Sequence, residues 1–305
     1  MSSRIGFIGG GNMATSLIGG ILESGTAASD IMVIDPVAEQ RTRLQSRFGI
    51  ETADDSSHIE SCNVVILAVK PQVMRQVCQA IKPASDTLYI SIAAGIPTDK
   101  LAQWLSDPGL SDSGLSDPGP SDNQHGDNPD GDNPDSDNKE QLAIIRCMPN
   151  TPALLQCGAS GLYANEYTSD AQRDAAQHIL EAVGIVVWVD NEDLIDAVTA
   201  VSGSGPAYYF LMMEAMQKAG ESLGLSAEVS RQLVLQTALG AARMATEGDD
   251  DPATLRNKVT SKGGTTEQAI NSFQSDGFEE IVRRALTAAR DRGRTLAKEL
   301  TSDDS

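Results

Sequence analysis

The stretch that decides the fold is Arg4-Ile5-Gly6-Phe7-Ile8-Gly9-Gly10-Gly11-Asn12-Met13-Ala14. A short apolar strand signal, 4–8, runs into three glycines and then into a helix-like stretch from Asn12 to Ser24. Gly9-Gly10-Gly11-Asn12-Met13-Ala14 fits the pattern G-x-G-x-x-A. In that pattern the first Gly permits a tight turn, the second lets backbone approach a pyrophosphate, and the small last residue lets helix pack on strand. The helix N-terminus then holds the anion. A second strand, 31–35, ends on Asp35, about 20 residues on, where the motif places an acidic group for a ribose hydroxyl. Asp35 there repels a 2′-phosphate and favours NAD over NADP, although Arg41 and Arg43 follow closely and Asp35 also suits a plain strand-end turn before Pro36.

Outward from this unit the alternation continues: helix 39–48, strand 64–69, helix 72–81, strand 87–92 and helix 98–105. Further strands are expected at 143–147, 160–163 and 185–189, with a helix at 169–183. Short apolar runs alternating with amphipathic stretches predict an α/β fold with an N-terminal Rossmann-like doubly wound parallel sheet. From Asp193 the strands stop, and helices are expected at 193–201, 206–223, 227–247, 252–259, 267–275 and 277–300. The division is therefore a dinucleotide-binding domain, 1–190, and an all-α domain, 191–305. Helix 206–223 is apolar nearly all round, from Ala207 through Met216, which calls for cover on every side and so for a second subunit.

One segment differs from its surroundings. From Ser106 to Lys139 the chain steps in fives, SDPGL, SDSGL, SDPGP, SDNQH, GDNPD, GDNPD, SDNK, with nine Asp and one Lys. Lacking apolar residues to bury, it reads as a disordered acidic insertion, 106–139. Its net charge of −8 leaves −12 on the other 271 residues, so the formal charge of −20 is global. A pI near 4.4 argues against nucleic acid or an anionic membrane as partner. Residues 5–22 resemble a signal-peptide core, but Asn12, Thr15 and the strand-turn-helix pattern fit a dinucleotide turn better, and no uncharged run spans a membrane. Cys62, Cys78, Cys147 and Cys157 form no C-x-x-C pair and no metal-ligand spacing, so neither disulfides nor a metal are expected, and the chain reads as soluble and cytoplasmic.

Chemistry-bearing loops follow. Ala68-Val69-Lys70-Pro71-Gln72 and Ala93-Ala94-Gly95 sit at the carboxyl ends of two strands, where open α/β sheets bind ligands and small residues admit a flat nicotinamide; ordinary strand-exit turns use the same residues. In Ser261-Lys262-Gly263-Gly264-Thr265-Thr266-Glu267-Gln268, Thr265 and Gln268 have capping-box spacing, so a helix is expected to begin at Thr266. Free N–H groups at that start suit a carboxylate, though capping alone accounts for the pattern. None of the three His forms a recognisable dyad with a carboxylate. Hydride transfer to a carbonyl calls for such an acid; transfer to an iminium, which carries its own proton, does not.

GFIGGGNMA, AVKPQ, SIAAGI, RCMPNTPA, AVSGSGPAYYF and LRNKVTSKGGTTEQAI, in this order over nearly the whole chain apart from the pentads, resemble the pyrroline-5-carboxylate reductase family. The resemblance implies a helical dimerisation domain, homodimers that assemble further into decamers, and reduction of L-1-pyrroline-5-carboxylate to L-proline by NADPH or NADH. It also implies that Ile8, Gly9, Gly10, Gly11, Asn12 and Met13 hold the pyrophosphate, with Ala68, Val69, Lys70 and Pro71 contacting the cofactor further along. Ser261, Gly263, Gly264 and Thr265 would hold the substrate carboxylate, Thr266 would meet the ring nitrogen as the catalytic residue, and the pocket would lie at a dimer interface. The sequence departs from the family pattern at Asp35 and Asp55, where neutral residues are common.

Two rival readings remain open on the sequence, a related imine or β-hydroxyacid reductase and a non-catalytic dinucleotide-binding regulator. The pentads carry one prediction of their own. Deleting 107–138 and leaving a short connection should preserve melting temperature and kcat/KM, because the segment contributes nothing to a core; an insoluble or inactive deletion variant would show that it has a role.

Overall fold

The computed structural model of the chain describes residues 4–107 and 141–302. Residues 108–139 of the pentad segment lie outside the described residues. Two compact units emerge, Met1–Val198 with Gly293–Ser305, and Thr199–Arg292.

The first unit carries one eight-stranded sheet: β1 (Ile5–Ile8), β2 (Ile31–Ile34), β3 (Glu51–Ala53), β4 (Val64–Leu67), β5 (Leu88–Ser91), β6 (Ala143–Met148), β7 (Gly158–Ala164) and β8 (Gly184–Trp188), in the order β3-β2-β1-β4-β5-β6-β7-β8. Only the β6–β7 pair is antiparallel. β1 is central: Ile8 lies beside Ile34 on one side and Leu67 on the other. Strands IGFI, IMVI, VVIL and LYIS are buried on both faces, which is why they read as continuous apolar runs rather than as alternation.

Helices cover both faces. With α1 (Asn12–Glu23), α2 (Ala38–Phe48) and α5 (Asp170–Glu181), one core brings together Phe7, Leu17, Val33, Leu44, Ile66 and Leu180. With α3 (Met74–Gln79) and α4 (Thr98–Ser106), the other gathers Leu67, Met74, Tyr89, Leu101, Trp104 and Ile144. Truncating one such buried side chain to Ala typically costs about 2–5 kcal/mol.

The sequence reading needs correction at three places in the fold. β3 was not expected: Glu51-Thr52-Ala53 is a polar three-residue edge strand, too short to show a period. The helix expected over 72–81 is a 3₁₀ turn, Pro71–Val73, followed by α3, because Pro71 opens the tighter turn. The helix expected over 193–201 ends as α6 (Leu194–Val198) and widens into a π-helical turn, Thr199–Gly203, in which the Ser204 N–H donates to the Thr199 carbonyl at 2.8 Å.

The second unit is helical: α7 (Gly205–Ser222), α8 (Ala227–Glu247), α9 (Pro252–Lys258), α10 (Thr265–Ser275) and α11 (Phe278–Thr301), the last of which runs on into the first unit from Gly293. α7 and α8 approach closely where Gly220 leaves room for Ser230, whose hydroxyl donates to the Gln217 carbonyl at 2.8 Å. Tyr209, Phe210 and Leu211 of α7 remain 63–70% exposed, so within this chain the apolar girth of that helix is uncovered. Among the described residues no helix is long and apolar enough to cross a membrane.

Candidate functional site

The glycine turn between β1 and α1 is closed on one side and open on the other. Gly9 has φ +97°, and a Cβ there would stand 2.7 Å from the Ala68 carbonyl oxygen. The Ala68 N–H donates to the Ile8 carbonyl at 2.8 Å, so the exits of β1 and β4 touch. A Cβ on Gly10 would meet Leu44 Cδ1 at 2.7 Å. A Cβ on Gly11, by contrast, would have nothing within 4 Å. Gly11 is the N-cap of α1, with no side-chain cap and no acidic residue in the first turn. The first intrahelical bond runs from the Thr15 N–H to the Gly11 carbonyl at 2.9 Å, leaving the Asn12, Met13 and Ala14 N–H groups beside that open space. The arrangement fits the pyrophosphate of a dinucleotide.

Asp35 braces this turn. Its Oδ2 accepts from the Gly10 N–H at 2.8 Å and its Oδ1 from the Val37 N–H at 2.8 Å. Each oxygen retains a lone pair for a ribose hydroxyl, so the strand-end turn and the ribose contact are compatible rather than exclusive. Arg41 is already engaged: Nη1 donates to the Asp35 carbonyl at 2.7 Å and Nη2 faces Asp54 at 3.3 Å. The Gln40 amide donates to the Gly10 carbonyl. Arg43 is exposed. Asp55 caps a 3₁₀ turn through the Ser57 N–H at 2.8 Å, and that backbone hydrogen bond holds its carboxyl below the usual carboxylate range.

Ala68 and Val69 are half-buried against the glycine turn, with Val69 Cγ1 3.0 Å from where a Gly9 Cβ would stand. Lys70 is exposed and Pro71 opens the following 3₁₀ turn. The β5 exit makes its turn at Gly95, φ +79°. In the strand order, β1 and β4 flank the switch point where such sheets bind ligands, and β5 lies one strand beyond.

In the second unit the expected capping box does not form. Gly264, not Thr265, is the N-cap of α10, Thr265 is its first residue, and no side chain caps it. The reason is local: Gly263 takes φ +73°, the Gly264 N–H donates to the Ser261 carbonyl at 3.0 Å, and Glu267 reaches back to accept the Gly263 N–H at 2.7 Å. Gly263 and Gly264 N–H groups are thus spent within the loop. Donors at the helix start are the Thr265, Thr266 and Glu267 N–H groups, since the first intrahelical bond runs from the Gln268 N–H to the Gly264 carbonyl, with the Ser261, Thr265 and Thr266 side chains all exposed beside them.

Thiol chemistry is disfavoured at the three buried cysteines. Burial pushes Cys78 and Cys147 up to about 12, and Cys62 is also raised by burial. His58 and His178 are exposed. One cluster went unnoticed in the sequence. Arg146, inside β6, is 4% exposed and lies near Glu192 and Asp196; its only signal was a charge within the apolar run Leu142 to Met148. Burial raises the Asp196 carboxyl, with the Arg146 and Arg294 guanidinium groups pulling it back down.

Residues 192–296 match the protein-family model described as pyrroline-5-carboxylate reductase dimerisation, a domain for self-association. Residues 4–95 match the one described as NADP oxidoreductase, coenzyme F420-dependent. The chain is 49% identical over 300 residues to a pyrroline-5-carboxylate reductase from Pseudomonas aeruginosa, covering 97% of this chain and 98% of the relative. It is 40% identical to one from Haemophilus influenzae, covering 96% and 97%. A solved pyrroline-5-carboxylate reductase from Coxiella burnetii superposes with a TM-score of 0.82 at 38% identity, covering 97% and 99%. One from Plasmodium falciparum, solved with NADP bound, gives a TM-score of 0.75 at 26% identity, covering 97% and 98%. The chain belongs to the pyrroline-5-carboxylate reductase family.

Proposed function

We propose that this chain is an oxidoreductase that reduces L-1-pyrroline-5-carboxylate to L-proline with NAD(P)H, the last step of proline biosynthesis. The observation that carries this reading is the 49% identity over 97% of the chain. The domain assignment is 1–190 for the dinucleotide and 191–305 for self-association and substrate, with a homodimer as the smallest assembly, acting in the cytoplasm. The uncovered apolar face of α7 supports self-association.

When bound, a reduced nicotinamide would supply the hydride for C5 of the cyclic imine. The chain's own residues bind and orient. Ile8 to Met13 receive the pyrophosphate at the uncapped start of α1, Asp35 receives the adenosine ribose, and Ala68 to Pro71 line the path towards the nicotinamide. The start of α10 receives the substrate carboxylate through the Thr265 and Thr266 N–H groups and the Ser261 and Thr265 hydroxyls, with Gly263 and Gly264 shaping the loop. The Thr266 hydroxyl accepts the hydrogen bond of the iminium N–H. Because the substrate nitrogen already carries its proton, that contact orients the ring as the neutral amine forms, and no separate acid is needed. Oxidation of NADH or NADPH on addition of L-1-pyrroline-5-carboxylate tests the whole reading; turnover of β-hydroxyacids or other imines, with none of this substrate, would replace it with the rival reductase.

Single substitutions separate these roles. Gly9→Ala should destabilise the fold by about 1–3 kcal/mol, since both φ and the Ala68 carbonyl exclude a Cβ. Gly11→Ala has space and an ordinary φ, so its melting temperature should hold while dinucleotide affinity in calorimetry falls; undiminished affinity would move the pyrophosphate elsewhere. Asp35→Ser should raise the NADPH-to-NADH ratio of kcat/KM, because the carboxylate opposes a 2′-phosphate and Arg41 is held by Asp54; an unchanged ratio would mean that the adenosine ribose does not meet Asp35. Thr266→Val should lower kcat/KM roughly ten- to a hundredfold, the equivalent of about 1–3 kcal/mol, and wild-type kinetics would shift attention to Lys70.

A further inference from the structure

Arg146 occupies a place where a charge needs an explanation. It stands in β6 in register with Ser91 of β5 and is 4% exposed. Its Nη1 lies 3.4 Å from Glu192 Oε1 and its Nη2 3.8 Å from Asp196 Oδ1, while Nε is buried with no hydrogen-bond partner. A guanidinium at that depth persists only if carboxylates neutralise it. Glu192 does more than neutralise. Its Oε1 accepts the Thr98 N–H at 2.8 Å and its Oε2 accepts the Thr98 hydroxyl at 2.9 Å. The N-cap residue of α4 is Pro97, whose ring carries no hydrogen-bond acceptor, so a residue 94 positions away performs the capping.

The segment held in this way is 92–97, which joins β5 to α4. Ser91 fixes one end through the sheet, and the Glu192 carboxylate fixes the other at Thr98. Between them the chain turns at Gly95, where a Cβ would stand 3.3 Å from Leu300 Cδ1 of α11. Arg294 of the same helix lies 3.8 Å from Asp196 Oδ2, which ties the backing helix to the same buried guanidinium. Since the adenosine half of a dinucleotide is drawn towards β2 by Asp35, its nicotinamide half extends over the exits of β4 and β5.

We propose that Glu192, gripped by Arg146, is a positioning residue for the reduction: it fixes segment 92–97, against which the nicotinamide half of the dinucleotide is placed. This inference rests on the dinucleotide reading given above. Proximity alone does not deliver hydride, and a displacement of about 1 Å in a supporting segment costs up to a hundredfold in rate.

Arg146→Met would strand the buried Asp196 carboxylate and the partly buried Glu192 and so destabilise the whole unit, so the discriminating variants of the full chain are Glu192→Gln, Thr98→Val and Thr98→Ser. Glu192→Gln keeps the shape but leaves one acceptor where there were two. Thr98→Val removes only the hydroxyl, and Thr98→Ser restores it. Kinetics, melting temperature, and calorimetric affinities for NADH and for ADP-ribose, which lacks the nicotinamide, are measured together. Glu192→Gln and Thr98→Val should lower kcat about tenfold and weaken NADH binding while leaving ADP-ribose binding unchanged, with Thr98→Ser close to wild type. A lowered melting temperature with wild-type kcat and NADH affinity would overturn the proposal, as would equal losses for NADH and ADP-ribose. If the wild-type chain bound neither ligand, the dinucleotide reading itself would fall and the inference with it.

Discussion

The contact on which the rest depends is the meeting of the β1 and β4 exits at Gly9 and Ala68. With no Cβ to separate them, the two strand ends close to the distance of a backbone contact, and the chain turns with φ +97° directly into α1. That turn decides where the helix N-terminus points, and hence where three unpaired N–H groups collect. Gly10 is then pressed against Leu44 of α2, so the second helix also takes its place from this turn. Asp35 adds an electrostatic brace by accepting from Gly10 and Val37 at once. A side chain at Gly9 would separate all of these groups together.

The electrostatics raise a second constraint. A chain of net charge −20 repels anions at long range, yet both the cofactor and the substrate's carboxylate group are anionic. Repulsion between exposed charges is screened beyond ~10 Å at moderate salt, so the local donors decide. Both candidate sites offer the same feature, backbone N–H groups at an uncapped helix start, Gly11 before α1 and Gly264 before α10. Neither depends on a basic patch. Glu267 shows the cost of the arrangement: lying in the first turn of α10, its carboxylate takes the Gly263 N–H for itself and leaves the N–H groups of the first helical turn as the donors.

Much of this was legible in the sequence because the physics was local. The glycine spacing, the apolar strands buried on both faces and the position of Asp35 follow from short-range pattern, and the structure shows the sheet they predict, parallel except at the β6–β7 pair. What was not legible depended on distant partners. Thr265 and Gln268 have capping spacing, but a positive φ at Gly263 and the reach of Glu267 move the helix start back one residue. β3 is held at an edge by pairing with β2 and has no period of its own. Arg146, Glu192 and Thr98 belong to three separate segments, and only the fold brings them together.

The most direct test follows the hydride. The full chain is incubated with L-1-pyrroline-5-carboxylate and NADH deuterated at the transferable C4 position, and the product is examined by mass spectrometry and NMR. The account predicts L-proline carrying a single deuterium at C5. Consumption of the reduced dinucleotide without labelled proline, or recovery of the imine unchanged while the dinucleotide remains bound and reduced, would contradict it.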